Sequence, residues 1–260
     1  MRRERVPIPV AVLAAAGAAF FVLPLAGLLA RTPWNDAARE LITPVSLDAL
    51  RLSLVASISA TVVALVLGVP LAWIYARVEF PGRGLLHALT TLPMVLPPVV
   101  GGVALLLAFG RRGLIGSWLA SIGITLPFTT AAVVMAETFV AMPFLVLTVE
   151  AGLRSMDRRY EDAARTLGAG RWTVFWRVTV PLIAPSLAAG AVLCWARALG
   201  EFGATITFAG NFPGVTQTMP LAVYVLLESG SPASSVLSLV LLAISVAVLV
   251  GLRHRWLGTA

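Results

Sequence analysis

The sequence predicts an all-α integral membrane protein with six transmembrane helices. Three observations predict it. Of 260 residues, 59% are hydrophobic and only 12% charged, with a mean hydropathy of +0.93, whereas soluble domains carry about 25% charged residues. Apolar runs long enough to cross a hydrocarbon layer of ~30 Å recur along the whole chain. The net charge of +7 rests on 19 basic residues, every one an arginine, and these flank the apolar runs as membrane anchors do. That distribution argues against nucleic acid as a partner and for lipid.

Met1 to Arg5 is basic, and Ile8 to Ala30 is a continuous apolar run. A signal peptide would have an apolar core of about 7–15 residues. This run is longer and reads as span one. Arg31 to Leu47, with Pro33 and Pro44, reads as a loop. Ala49 to Ala76 is span two, and Arg77 to Arg83 a short turn. Leu85 to Gly110 is span three, interrupted by Pro93, Pro97, Pro98 and Gly101-Gly102. Such breaks are tolerated in a membrane only where protein or a wet cavity satisfies the freed backbone groups. Gly113 to Gly123 is too short to span and reads as interfacial. Leu126 to Gly152 is span four, Pro181 to Phe208 span five, and Ala233 to Leu252 span six. Between the last two, Asn211 to Ser231 is a loop whose apolar piece, Met219 to Leu227, is re-entrant or interfacial.

Six spans put both termini on one side. That side carries thirteen arginines (2, 3, 5, 77, 83, 154, 158, 159, 165, 171, 177, 253 and 255) and the other carries five (31, 39, 51, 111 and 112). The excess places the termini in the cytoplasm of a multi-pass cell-membrane protein. Trp172, Phe175 and Trp176 fall at the cytoplasmic interface.

Several chemistries are excluded. The chain has no lysine, and a Walker A phosphate loop needs one to reach the β- and γ-phosphates. If ATP drives this protein, another subunit binds it. The single cysteine, Cys194, cannot form a disulfide within the chain. His87 and His254 form no HExxH site, and no serine stands in a GxSxG nucleophile turn. No catalytic residue, metal ligand or cofactor of its own is therefore expected.

The longest charged stretch is Asp157 to Pro181. Tyr160, Ala163, Ala164 and Leu167 fall at i, i+3, i+4 and i+7, one face of a helix of about three turns. Asp157, Arg158, Glu161, Asp162 and Arg165 take the other face. Asp157 suits an N-cap, and Gly168 suits a left-handed residue ending the helix. A helix lying on the lipid surface would show the same amphipathicity.

Two ionisable residues stand in span five. Arg197 and Glu201, four apart, can pair on one helix face. A lone charge at mid-bilayer costs about 2.5–3.5 kcal/mol on insertion scales. The pair either lines a pathway or only fixes packing. Glu137, in mid-span four, either touches the pathway or accepts a hydrogen bond from a neighbouring helix. His87 is read as interfacial.

The spacing of Asp162-Ala163-Ala164, Gly168 and Val178-x-Val180-Pro181 resembles the EAA motif of ABC-importer membrane subunits, with Asp for Glu, Val for Ile and Val for Leu. The segment Arg197 to Tyr224, RALGEFGATITFAGNFPGVTQTMPLAVY, and the run Leu92 to Gly116 resemble molybdate ABC transporter permeases. Sulfate permeases share the Gly-Glu-Phe-Gly-Ala core. The resemblance covers Ala49 to about Arg253. It implies the type I importer permease fold with a cytoplasmic coupling helix. The first helix and outer loop occupy residues 1–48, the permease core 49–253 and a cytoplasmic tail 254–260. It further implies a second copy of the chain, two cytoplasmic ATPase subunits holding ATP and magnesium, and an extracytoplasmic oxyanion-binding protein.

On this resemblance, Tyr160, Glu161, Asp162, Ala163, Ala164, Leu167, Gly168 and Pro181 meet the ATPase. Arg197, Glu201, Gly203, Thr205, Thr207, Asn211 and Thr216 line or gate the pathway. The function implied is import of molybdate, with tungstate or sulfate as alternatives. A proton-coupled secondary transporter is a further alternative, although such folds usually show internal repeats and none is visible here.

Overall fold

A computed structural model describes the backbone of residues 7–256 and the side chains as far as residue 251. Arg2, Arg3 and Arg5 and the end of the tail, residues 257–260, lie outside the described residues, as do the side chains of Arg253, His254 and Arg255.

The elements in chain order are α1 (Ile8–Arg31), α2 (Ala37–Leu41), α3 (Pro44–Arg77), α4 (Arg83–Thr91), α5 (Pro98–Phe109), α6 (Gly116–Ser121), α7 (Thr130–Ser155), α8 (Arg159–Thr166), α9 (Arg171–Val174), α10 (Val180–Leu182), α11 (Ala184–Leu199), α12 (Gly203–Phe208), α13 (Met219–Glu228) and α14 (Ala233–Trp256). No strand occurs among the described residues.

The core is a slab of three helices. On α3, Ala56, Ala60, Ala64, Gly68 and Ala72 recur every four residues and are buried. Small residues at this spacing form a shallow groove that lets backbones approach where lipid supplies no hydrophobic drive. α7 fills it: Gly68 lies against Leu145 and Val146, and Tyr75, Ala64, Leu145, Val149 and Leu153 share one buried cluster. The register is parallel. Thr138 Oγ1 donates to Ala60 O at 3.5 Å, and Arg154 Nη2 donates to Tyr75 O at 3.4 Å, about four turns further along both helices in the same direction. α11 runs antiparallel to both: Gly152 faces Ser186, Gly190 faces Leu145, and Trp195 Nε1 donates to Ser57 Oγ at 3.0 Å.

Parallel α3 and α7 decide the path between them. The chain leaves α3 at one end of the slab and must enter α7 at the other, so residues 78–129 cross it. Among the described residues four helices are long and apolar enough to span unaided, and two bent pairs bring the number to six if each is one broken span. In the first pair α4 and the 3₁₀ turn after it (Leu92–Met94) meet α5 at 119°. Pro97 and Pro98 produce this bend, since neither can donate a helical N–H. The prolines were legible as a break, but so sharp a corner in span three was not.

The second bent pair corrects span five. It is not one rod from Pro181 to Phe208. The helices on either side of Ile183 meet at 72°, and Phe175–Thr179 forms a π-helical turn just before Pro181. Pro181 has no N–H for the carbonyl four residues back, and the wide turn absorbs the mismatch. The helix then stops at Gly200 and restarts as α12.

At 10 residues α13 is too short to span unaided. Met219 N–H donates to Ser53 Oγ at 2.7 Å and Ala222 packs with Ala49, so α13 climbs back along the first turns of α3. Met219 to Leu227, expected as re-entrant or interfacial, falls in this short helix, antiparallel to the start of α3. α14 descends beside it through Ala233 and Leu237. Arg31 to Leu47 is not a plain loop, because it contains α2 and the start of α3, which Thr43 caps by accepting from Ser46 N–H.

Candidate functional site

α8 lies at the end of the slab where α3 finishes. Asp157 Oδ1 accepts from Arg159 N–H at 2.9 Å, satisfying one orphan donor of the first turn. The helix has 8 residues, two turns and not the three expected. Gly168 follows with φ +86°, in the left-handed region that suits glycine. The bonds around it close the helix: Gly168 N–H donates to Arg165 O, and Ala169 N–H to Ala164 O.

The apolar stripe points away from the bundle. Tyr160 is 59% and Leu167 89% exposed, and Ala163 is exposed between them. Ala164, at the edge of the stripe, is half-buried. Asp162 is on the open side, 3.4 Å from Arg165. Glu161 departs from the pattern. Periodicity set it on the solvent face, yet it is 6% exposed and faces the bundle. Its Oε1 accepts from Thr179 Oγ1 at 2.7 Å and lies 3.4 Å from Arg77 Nη2. A residue at the edge of an amphipathic face is turned inward when distant segments offer it donors, which helical spacing cannot reveal.

Arginines converge on the last turn of α3. Arg83 and Arg154 donate to Tyr75 O, and Arg158 Nη2 donates to Ala76 O at 3.4 Å. Cations there satisfy orphan carbonyls and suit the negative end of the helix dipole. His87 is more than interfacial. Its Nε2 lies 2.9 Å from Glu150 Oε2, while Glu150 Oε1 receives Arg154 Nε at 2.9 Å and Nη2 at 2.6 Å. Tyr75 Oη lies 2.7 Å from Thr90 Oγ1. This polar side of α4 is held to the bundle end. Glu150 was missed in the sequence; its i+4 spacing to Arg154 near the end of a span was the signal.

In the opposite half of the slab the Arg197–Glu201 pair forms as expected, Nη2 to Oε2 at 2.6 Å. Glu201 is 1% exposed, and its Oε1 also accepts from Ala204 N–H at 3.0 Å. One carboxylate therefore neutralises the arginine and caps α12. Gly203 lies against Pro98. Thr207 Oγ1 donates to Gly203 O, and its Cβ faces Gly102. Thr216 Oγ1 accepts from Phe212 N–H at 2.8 Å, folding the loop over itself. Arg197, Thr207 and Asn211 keep partial surface, whereas Glu201, Gly203, Thr205 and Thr216 are buried within the chain. The buried Thr205 Oγ1, Asn211 Oδ1 and Glu137 Oε2 have no hydrogen-bond partner. Glu137 is 1% exposed, and its Oε2 receives no neighbouring hydroxyl.

The left-handed Gly168 yields a first prediction. A Cβ there meets no atom, so Gly168→Val acts through backbone strain alone, ~1–2 kcal/mol. It should misdirect α8 while leaving the spans inserted. The variant is expected to retain parental membrane levels yet fail to pull down the proteins that co-purify with the parent. Parental pull-down would mean that α8 orientation does not depend on Gly168.

Residues 64–259 match the family described as "Binding-protein-dependent transport system inner membrane component". The molybdenum transport system permease protein ModB of Mycobacterium tuberculosis is 46% identical over 242 residues, 93% of this chain and 92% of that protein. ModB of Escherichia coli is 43% identical over 218 residues, 84% and 95% of the two chains. The sulfate transport system permease protein CysT of Escherichia coli is 39% identical over 232 residues, 88% and 84%. Among solved structures, a bacterial ABC transporter involved in the import of alginate superposes with a TM-score of 0.70 at 17% identity, over 95% of this chain and 93% of that one. The MetNI methionine ABC transporter gives 0.54 at 19% identity, over 89% and 98%.

Proposed function

Because the chain belongs to the family of inner membrane components of binding-protein-dependent transport systems, we propose that it is the permease subunit of an ATP-driven importer carrying molybdate into the cytoplasm. Its fold is that of the type I importer permeases. The observation that carries the substrate is the likeness to molybdenum permeases at 43–46% identity along nearly the whole of both chains. A second reading, sulfate import, rests on the 39% identity to CysT and the shared Gly-Glu-Phe-Gly-Ala core.

The permease makes no covalent bond. Two copies of the chain enclose the pathway, and two ATPase subunits, which hold the ATP and magnesium, dock on the α8 helices. An extracytoplasmic binding protein delivers the anion. The exposed Tyr160, Ala163 and Leu167 suit a hydrophobic cleft on the ATPase. Asp162 gives the same face an acidic edge, and Gly168 and Pro181 set its position. The arginine excess supports α8 and both termini on the cytoplasmic side, with lipid around the slab. Closure of the ATPase dimer swings the two halves as rigid bodies.

The pathway side is sparsely charged, and Arg197 is neutralised by Glu201. The chain therefore has no tight oxyanion site, and selectivity resides in the binding protein. Arg197, Thr207 and Asn211 offer a weakly polar passage backed by Glu201, Gly203, Thr205 and Thr216. Weak binding suits conduction, since the ion must also leave.

Proteoliposomes containing the permease and its ATPase test the function. Molybdate uptake should require ATP and loaded binding protein and should resist ionophores. Ionophore-sensitive uptake without ATP would identify a secondary transporter instead. Titration of the complex without binding protein should show no micromolar saturation by molybdate, tungstate or sulfate. Micromolar binding abolished by changes at Arg197 or Asn211 would contradict the weak passage.

A further inference from the structure

Glu161 is the buried residue of α8; every other residue of that helix is exposed or half-buried. Its attachments lead in two directions. Thr179, 1% exposed, ends the π-helical turn from which α10 and α11 continue. Arg77, whose side chain is 7% exposed, is the last residue of α3. A single carboxylate thus joins α8 to the end of α3 and to the π-helical turn that leads into α11, two of the three core helices. The joint is polar and directional, unlike the alanine and leucine packing elsewhere in the slab. Arg77 Nε is buried and has no hydrogen-bond partner, and the ion pair this guanidinium makes is with Glu161, through Nη2.

We propose that Glu161 is a positioning residue that acts as the strut between α8 and the membrane core, passing displacement of α8 to α3 through Arg77 and to α11 through Thr179. This deepens the proposed coupling role of α8 and rests on that reading. It assigns Glu161 the inward task and leaves contact with the partner to Tyr160, Ala163 and Leu167. A carboxylate held to both partners at once ties the motion of α8 to theirs, whereas a packed apolar contact can slide. Loss of the carboxylate strands a buried guanidinium and releases α8 to move alone.

The test uses the full permease–ATPase complex in proteoliposomes. Glu161→Ala removes both attachments, Glu161→Gln keeps an oxygen for Thr179 but not the charge for Arg77, and Thr179→Val removes only the hydroxyl. Glu161→Ala is expected to co-purify with the ATPase but to deliver at least tenfold less molybdate per ATP hydrolysed. Glu161→Gln should fall between it and the parent. Adding Arg77→Met to Glu161→Ala should cause no further loss. A transport-to-hydrolysis ratio within twofold of the parent in Glu161→Ala overturns the strut. If that variant does not insert, parental ratios in both Glu161→Gln and Thr179→Val overturn it equally. Failure of the parent to import molybdate would count against the proposed function and not against the strut. For that reason a substrate-free readout is paired with it. Spin labels at Glu79→Cys and Thr166→Cys should keep one separation when nucleotide is added to the parent and change separation in Glu161→Ala. A nucleotide-driven change of equal size in both would show that α8 moves independently of α3.

Discussion

Glu201→Ala should be the most damaging single change in the membrane interior, reducing uptake to background and lowering stability by about 3–5 kcal/mol, the usual cost of breaking a buried ion pair from one side. Two losses combine. Arg197 loses the carboxylate 2.6 Å from its guanidinium, and the first turn of α12 loses the acceptor for Ala204 N–H. Arg197→Ala should cost less, because Glu201 keeps the Ala204 bond. The double variant should be better than the sum of the singles by ~1–3 kcal/mol, as expected for groups in direct contact. Thermal unfolding of the purified chain and uptake in liposomes measure both. Additive losses would mean that the pair contributes no mutual energy, and unimpaired uptake in all three variants would remove the pair from any pathway.

Hydropathy made the spans legible, because crossing a bilayer constrains every residue of a segment. Charge spacing made the Arg197–Glu201 pair legible, since both partners lie on one helix and no distant segment is needed. Gly168 was legible for a similar reason: a left-handed helix terminus is a local event with a local residue preference. What failed to show is what requires two segments at once. Glu161 reads as a solvent-facing acid until Thr179 and Arg77 are placed beside it. His87 reads as interfacial until Glu150 arrives from α7. Pro97 and Pro98 announced an interruption and Pro181 was read only as the start of span five, but the bends of 119° and 72° depend on what the broken helices pack against. The four-residue repeat of small side chains on α3 was visible as composition only; its meaning comes from the groove that α7 occupies.

That dependence on close backbone approach supplies the other large effect, at Gly102. α5 meets α12 there, and a Cβ built on Gly102 falls 2.6 Å from Thr207 Cβ, 2.8 Å from Ala204 O and 3.0 Å from Ala204 Cα. Ordinary overpacking costs about 1–3 kcal/mol, because side chains can move aside. Here two of the three nearest atoms are backbone, so α5 and α12 must separate. Separation would pull Gly203 off Pro98 and carry Ala204 N–H away from Glu201, so the local clash would reach the buried ion pair. Gly102→Val should therefore destabilise the chain by more than ~3 kcal/mol and abolish uptake. Gly200→Ala is the matched control. It lies just before α12, and its added Cβ comes no nearer than 3.8 Å to Ala196 O, so it should unfold and transport like the parent. If Gly102→Val unfolds at the parental temperature, α5 and α12 do not meet at this point. Equal losses in both glycine variants would trace the effect to chain flexibility around Gly200–Phe202, and not to the contact between the two helices.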